Sequence, residues 1–80
     1  MTAKKIRRED VWETAGKYLK RKGDTCSDLM VHQSLEFNGF RCTLAEVTKH
    51  LNRLCKTHGW VGEQFKNENG LVYNVYNSGR

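Results

Sequence analysis

Apolar residues recur along the chain at helical spacing in three segments and alternate with polar ones near its end. In "RREDVWETAGKYLKRKG" they fall at Val11, Trp12, Ala15, Tyr18 and Leu19, which share one helical face. Glu9 and Asp10 suit the positive start of that helix, and Lys20, Arg21 and Lys22 suit its negative end. Gly23 provides a stop. In "DTCSDLMVHQSLEFNGF", Ser27 or Thr25 can cap a second helix running to about Glu36. It would bury Leu29, Met30, Val31 and Leu35, with His32 flanking, and a strand is the competing reading of 29–32. Asn38-Gly39 then marks a turn. The third segment, "TLAEVTKHLNRLCKTHGWV", is bounded most sharply. Thr43 and Glu46 form the pattern of a capping box, Leu44, Val47, Leu51 and Leu54 share a face, and His58-Gly59 ends the helix.

The final segment has two β-prone runs, 60–66 and 71–77, around "NENG". Asn67 suits the first position of a type I turn and Gly70 the last, followed by a glycine bulge. That register sets Phe65 opposite Tyr73, with Val61, Leu71 and Val75 on their side and Gln64, Lys66, Val72, Asn74 and Tyr76 on the other. A two-residue Asn-Gly turn would shift the pairing. The mostly apolar Phe65 side is expected to pack on the helices, because a lone hairpin is marginal.

At 80 residues the chain is expected to form one domain, 1–80, with a thin core. Residues 1–6 read as a flexible basic arm and 78–80 as a tail. Fourteen Lys and Arg against nine Asp and Glu give a net charge of +5, which makes a polyanion the first partner to consider. An odd count of cysteines, Cys26, Cys42 and Cys55, argues against a disulfide framework and for a reducing compartment. No apolar run is long enough for a membrane span. A soluble, cytoplasmic protein is therefore expected.

Charge changes the picture most on the third helix. Opposite its leucine arc lie Ala45, Lys49, Arg53 and Lys56, with Glu46 and Asn52 at the edges, so that three cations form one stripe. Such a helix fits the major groove, where Lys49 and Arg53 can meet phosphate or guanine and Asn52 can meet adenine. Thr43 and the helix start can hold a phosphate. The bland alternative is a solvated amphipathic helix, and Glu46 fits it best as part of the cap. Lys66, Asn67 and Asn69 sit at the hairpin tip and offer positioning contacts, or simply make a turn. Lys4, Lys5, Arg7 and Arg8 can act as a backbone or minor-groove arm, or remain a solvated terminus. Only Cys55 and His58 form a close pair of metal-ligand type, where a structural zinc site needs two such pairs. No phosphate loop, zinc-hydrolase motif or nucleophile elbow occurs, so no catalysis, metal, cofactor or small-molecule substrate is expected.

The order helix, connector, helix, turn, helix, hairpin, with Thr25-Cys26 as a possible short strand, resembles a winged helix-turn-helix domain. The resemblance runs from about Arg7 to Asn77 and is sharpest at "EVTKHLNRL" followed by "HGWV". In size the chain is similar to small bacterial or phage regulators, such as operon regulators and excisionase-like proteins. The resemblance implies an α+β fold with three helices and a C-terminal β-hairpin wing. It implies a third helix, about 43–57, in the major groove, with recognition roles for Thr43, Ala45, Glu46, Lys49 and Arg53, and a wing on the backbone. In one respect the chain departs from the pattern: Gly39 and Val47 stand eight positions apart, further than in compact bacterial members. The departure leaves open the geometry of the turn 37–42 and the position of Arg41. The expected function is sequence-specific binding of double-stranded DNA by a small transcriptional regulator, associated with the nucleoid when bound, with a homodimer or protein partner. The rivals are a protein-interaction module using Trp60, Tyr73 and Tyr76, and an RNA or single-stranded DNA binder stacking bases on Tyr76 and Phe65.

Overall fold

The computed structural model describes residues 4–78. In chain order it contains β1 (Lys4–Lys5), α1 (Arg8–Tyr18), β2 (Thr25–Ser27), α2 (Asp28–Phe37), β3 (Phe40–Arg41), α3 (Leu44–His58), β4 (Val61–Lys66) and β5 (Val72–Asn77). The three helices pack on one another, and an antiparallel sheet of order β2-β5-β4 lies against them. The result is a small α+β domain whose element order agrees with the sequence reading, including the short strand at Thr25. No helix among the described residues is long and apolar enough to cross a membrane.

The third helix begins and ends where its sequence signals stand. Glu46 N–H donates to Thr43 Oγ1 at 3.2 Å, and Thr43 N–H donates to Glu46 Oε1 at 3.2 Å. This reciprocal cap satisfies two amide groups that the first helical turn leaves without partners. Gly59 ends the helix in the left-handed region, at φ 70°. Val47, Leu51 and Leu54 are fully buried and meet Val11 and Ala15 of α1 and Val31 and Leu35 of α2 in one core.

The first two helices differ from expectation in detail. α1 stops at Tyr18 rather than before Gly23. Leu19 N–H reaches back to Gly16, and Asp24 closes a separate turn by accepting the Arg21 N–H at 2.8 Å. Lys20, Arg21 and Lys22 therefore ride on a turn instead of a last helical turn. Trp12, expected in the core, is 46% exposed, because the buried arc runs through Val11 and Ala15 and leaves the indole at its edge. Met30 is likewise exposed, and the buried arc of α2 runs through Asp28, Val31 and Leu35. Ser27 caps this helix, accepting the Met30 N–H at 3.1 Å.

Residues 4–6 do not form a free arm. β1 pairs in parallel with β3, setting Lys4 opposite Phe40 and Lys5 opposite Arg41, and Ile6 is buried in the core. Of the expected arm, residues 1–3 lie outside the described residues, as do 79–80 of the expected tail. The extra length between Gly39 and Val47 is absorbed by this pairing: the turn extends into a strand held by the start of the chain. His32 Nε2 contacts the Cys42 carbonyl at 3.0 Å and ties the same turn to α2.

The hairpin has the expected register, with Phe65 opposite Tyr73. Its turn is closed by Asn67, whose Oδ1 accepts the N–H groups of Asn69 and Leu71 at 2.9 Å. The face expected to pack on the helices is the wrong one. Tyr76 is buried at 1% exposure, whereas Phe65 and Val61 on the opposite face are more than 40% exposed. The reason lies in three residues. Gly62 stands opposite Tyr76 and has no Cβ, which leaves room for the phenol ring, and Asn74 and Tyr76 find polar partners on α2 and α3. Hydrogen bonding, not apolar count, chooses the inner face.

Candidate nucleic-acid interface

The inward turn of Val72 and Asn74 makes them one wall of an open groove of about 620 Å³. The other wall is the exposed side of α3: Ala45, Lys49, Asn52, Arg53 and Lys56. Helical geometry places these residues together, because Ala45, Lys49, Arg53 and Lys56 follow one another at steps of three or four and Asn52 lies three beyond Lys49 and four before Lys56. Among the described residues, no carboxylate pairs with Lys49, Arg53 or Lys56. Their charge is therefore directed outward, over a helix of 15 residues. Ala45 adds no bulk near the start of that stripe.

Asp28 forms the floor of the groove and is 1% exposed. A carboxylate so far from water needs several donors. It accepts Thr48 Oγ1–H at 2.7 Å from α3, and the Asn74 backbone N–H at 3.1 Å and side-chain Nδ2–H at 3.0 Å from β5. Its place in the first turn of α2 adds the favourable end of that helix dipole. One side chain thus joins α2, α3 and the hairpin, and sets the separation of the two walls. Nothing in the sequence pattern marked it. An Asp just after a capping Ser reads as an ordinary exposed first-turn acid, and its partners lie twenty and forty-six positions away.

Several expected contact residues are already occupied. Asn52 Oδ1 accepts the Tyr76 hydroxyl at 2.7 Å. That bond fixes the orientation of the amide and uses one of the two lone pairs of its oxygen, so its N–H groups and the second lone pair remain. Burial, and then the nearby Asp28 carboxylate, raises the Tyr76 phenol well above its ordinary pKa, which keeps it a donor. Thr43 and Glu46 are engaged in the cap, so a phosphate there would meet the Glu46 carboxylate. The side-chain oxygen of Asn67 is spent on its own turn; Asn69 and Lys66 remain exposed at the tip.

The four residues of the basic arm do not stay together. Lys5 joins Arg41 at a hollow of about 460 Å³ beside the start of α3, lined also by Cys42, Thr43 and Glu46. Lys4 pairs across from Phe40 in β1. Arg7 turns to Asp10, whose Oδ2 accepts its backbone N–H at 2.9 Å and lies 3.6 Å from its Nε. Arg8 opens α1 near His50, whose Nδ1 is buried without a hydrogen-bond partner among the described residues. Burial, then the positive Arg53, lowers the pKa of that imidazole. Lys5 and Arg41 thus stand together beside the start of α3, whereas Arg7 is turned to Asp10.

Of the aromatic residues in the rival readings, Tyr76 is buried and offers no platform, whereas Phe65 and Tyr73 stack on each other at 5.8 Å on the outer hairpin face. No group of three or more His, Cys, Asp and Glu among the described residues could hold a metal ion. Comparison of the chain with protein-family models, curated proteins and solved structures finds no match.

Proposed function

We propose that the protein is a winged-helix domain that binds double-stranded DNA in a sequence-specific manner as a small regulator, with α3 in the major groove and the hairpin on the backbone. The observation that supports this reading is the groove between α3 and β5, whose helical wall carries Lys49, Arg53 and Lys56 without carboxylate partners among the described residues. An α-helix is about 10–12 Å across with its side chains, matching a major groove about 12 Å wide. Lys49 and Arg53 are the base-edge candidates, because they sit in the first two-thirds of α3 next to the small Ala45. Lys56, Lys5, Arg41 and Lys66 supply phosphate contacts.

Fluorescence anisotropy with mixed duplex DNA at several salt concentrations tests this. With about three to five phosphates neutralised, log affinity falls against log salt with a slope of about −2.7 to −4.5. Lys49→Ala and Arg53→Ala each weaken binding by about 5- to 150-fold if the side chain contacts a base, and Lys56→Ala weakens all sequences alike. If both the Lys49 and Arg53 variants bind duplex like the wild type, α3 is not the reader. The exposed outer wing face, with Val61, Phe65 and Leu71, favours a second reading as a protein-binding module. That reading gains if duplex binding is absent at low salt.

A further inference from the structure

A second cationic site lies away from the groove. Trp12 of α1, His58 at the end of α3 and Trp60 just before β4 form a row of rings, with centroids 5.5 Å apart for Trp12 and His58 and 6.5 Å for His58 and Trp60. The two tryptophans and the histidine line a cleft of about 520 Å³, together with Leu19, Lys20, Arg21, Lys22 and Ser78. His58 continues the buried arc of Val47, Leu51 and Leu54 at helical spacing, so it stands on the side of α3 opposite Lys49, Arg53 and Lys56. A duplex lying on the stripe leaves this cleft open.

The composition of the cleft selects its ligand. Its rim carries three successive cations, all exposed because α1 stops at Tyr18. Among the described residues no carboxylate lines it; Asp24, which neighbours the turn, is held on the Arg21 N–H. An adjoining hollow, lined by Arg8, Glu9, Trp12, Leu54 and His58, holds one acid and one arginine. The Trp12 indole is half exposed beside the imidazole, which is held at Nδ1, 2.8 Å from the Thr57 hydroxyl. Flat π faces next to a run of cations are the two elements that hold an unpaired nucleotide: stacking for the base and charge for the phosphates. We propose that this cleft binds a single strand of nucleic acid, stacking a base on Trp12 and Trp60 and holding the backbone on Lys20, Arg21 and Lys22. It is independent of the duplex site on α3.

The protein's only two tryptophans are Trp12 and Trp60, so its indole fluorescence reports on this cleft and not on the groove. Titration with oligothymidylate and oligouridylate 15-mers at low salt should give saturable quenching, and the two arms show whether DNA or RNA is preferred. The variant Lys20→Gln/Arg21→Gln/Lys22→Gln should weaken it by about tenfold or more, following the loss of about three phosphate contacts. Trp12→Leu, at a half-exposed position, should weaken binding about tenfold as read from Trp60, in line with the loss of one stacked base. Lys49→Ala/Arg53→Ala should leave the quenching unchanged while reducing duplex anisotropy, so failure at one site is separable from failure at the other. The proposal is overturned by absence of quenching, by equal quenching with the triple variant, or by its loss in the Lys49/Arg53 variant. It is also overturned if duplex quenches as strongly as single strands, or if an acidic tyrosine-bearing peptide quenches where the oligonucleotides do not.

Discussion

Replacing Asp28 should loosen the domain at the joint between α3 and the hairpin. In Asp28→Ala, the Asn74 backbone N–H loses its acceptor in a buried place, at a cost of about 1–3 kcal/mol. Thr48 suffers less, because its hydroxyl already lies 2.9 Å from the Leu44 carbonyl and can turn to it. The Asn74 amide is half-buried and can be met by water. With a small void added, the net loss is about 2–3 kcal/mol. A domain of this length is stable by about 4–12 kcal/mol, so the change is large. It corresponds to a fall in melting temperature of about 10–20 °C. Asp28→Asn keeps an oxygen for the Asn74 N–H, and its new amide group can donate to Thr48 Oγ1. That variant should lose only about 1 kcal/mol. Thermal and urea unfolding of the three proteins at neutral pH provide the comparison. The reasoning fails if Asp28→Ala melts within about 3 °C of wild type, or if Asp28→Asn is as damaging as Asp28→Ala.

Two further predictions concern the inner face of the hairpin. In Gly62→Ala, the new Cβ would lie 2.8 Å from Tyr76 Cε1 and 3.0 Å from Cδ1, and the ring is buried and tied to Asn52. A loss of about 1–3 kcal/mol is expected, read as a lower urea midpoint with unchanged slope. Because the folded Tyr76 phenol titrates above its ordinary value of 10, its contribution to stability is complete below pH 10 and is lost as pH rises beyond it. Tyr76→Phe should cost about 1 kcal/mol at pH 7 and flatten the alkaline decline, and an unaltered decline would remove Tyr76 as its cause.

Much of this fold is legible in local sequence. The limits of α3 follow from Thr43, Glu46 and Gly59, because capping and a left-handed stop act within a few residues. The hairpin register follows from Asn67 and Gly70 for the same reason. The stripe of Lys49, Arg53 and Lys56 follows from helix periodicity alone. Partners distant in the chain decide the rest. Which hairpin face turns inward depended on Tyr76 meeting Asn52 and on the missing Cβ of Gly62, neither of which enters an alternation of apolar and polar letters. The burial of Asp28 and the exposure of Trp12 run against residue-type averages for the same reason. The pairing of Lys4–Lys5 with Phe40–Arg41 joins two segments with no local signal for each other, and this turned an expected arm into a brace for the turn before α3.

The central position of β5 also orders the folding of the chain. Its hydrogen bonds to Asp28 span 46 positions, whereas Thr48 ties α3 to the same carboxylate across 20. Closing a longer loop costs more chain entropy before any bond returns it. Loop length thus predicts that α2 and α3 meet before β5 arrives, with the two hydrogen bonds from Asn74 to Asp28 the last to form. Asp28 thus acts as a late latch. Its removal should speed unfolding and leave refolding nearly unchanged in stopped-flow measurements, and slowed refolding would place β5 in the early nucleus instead.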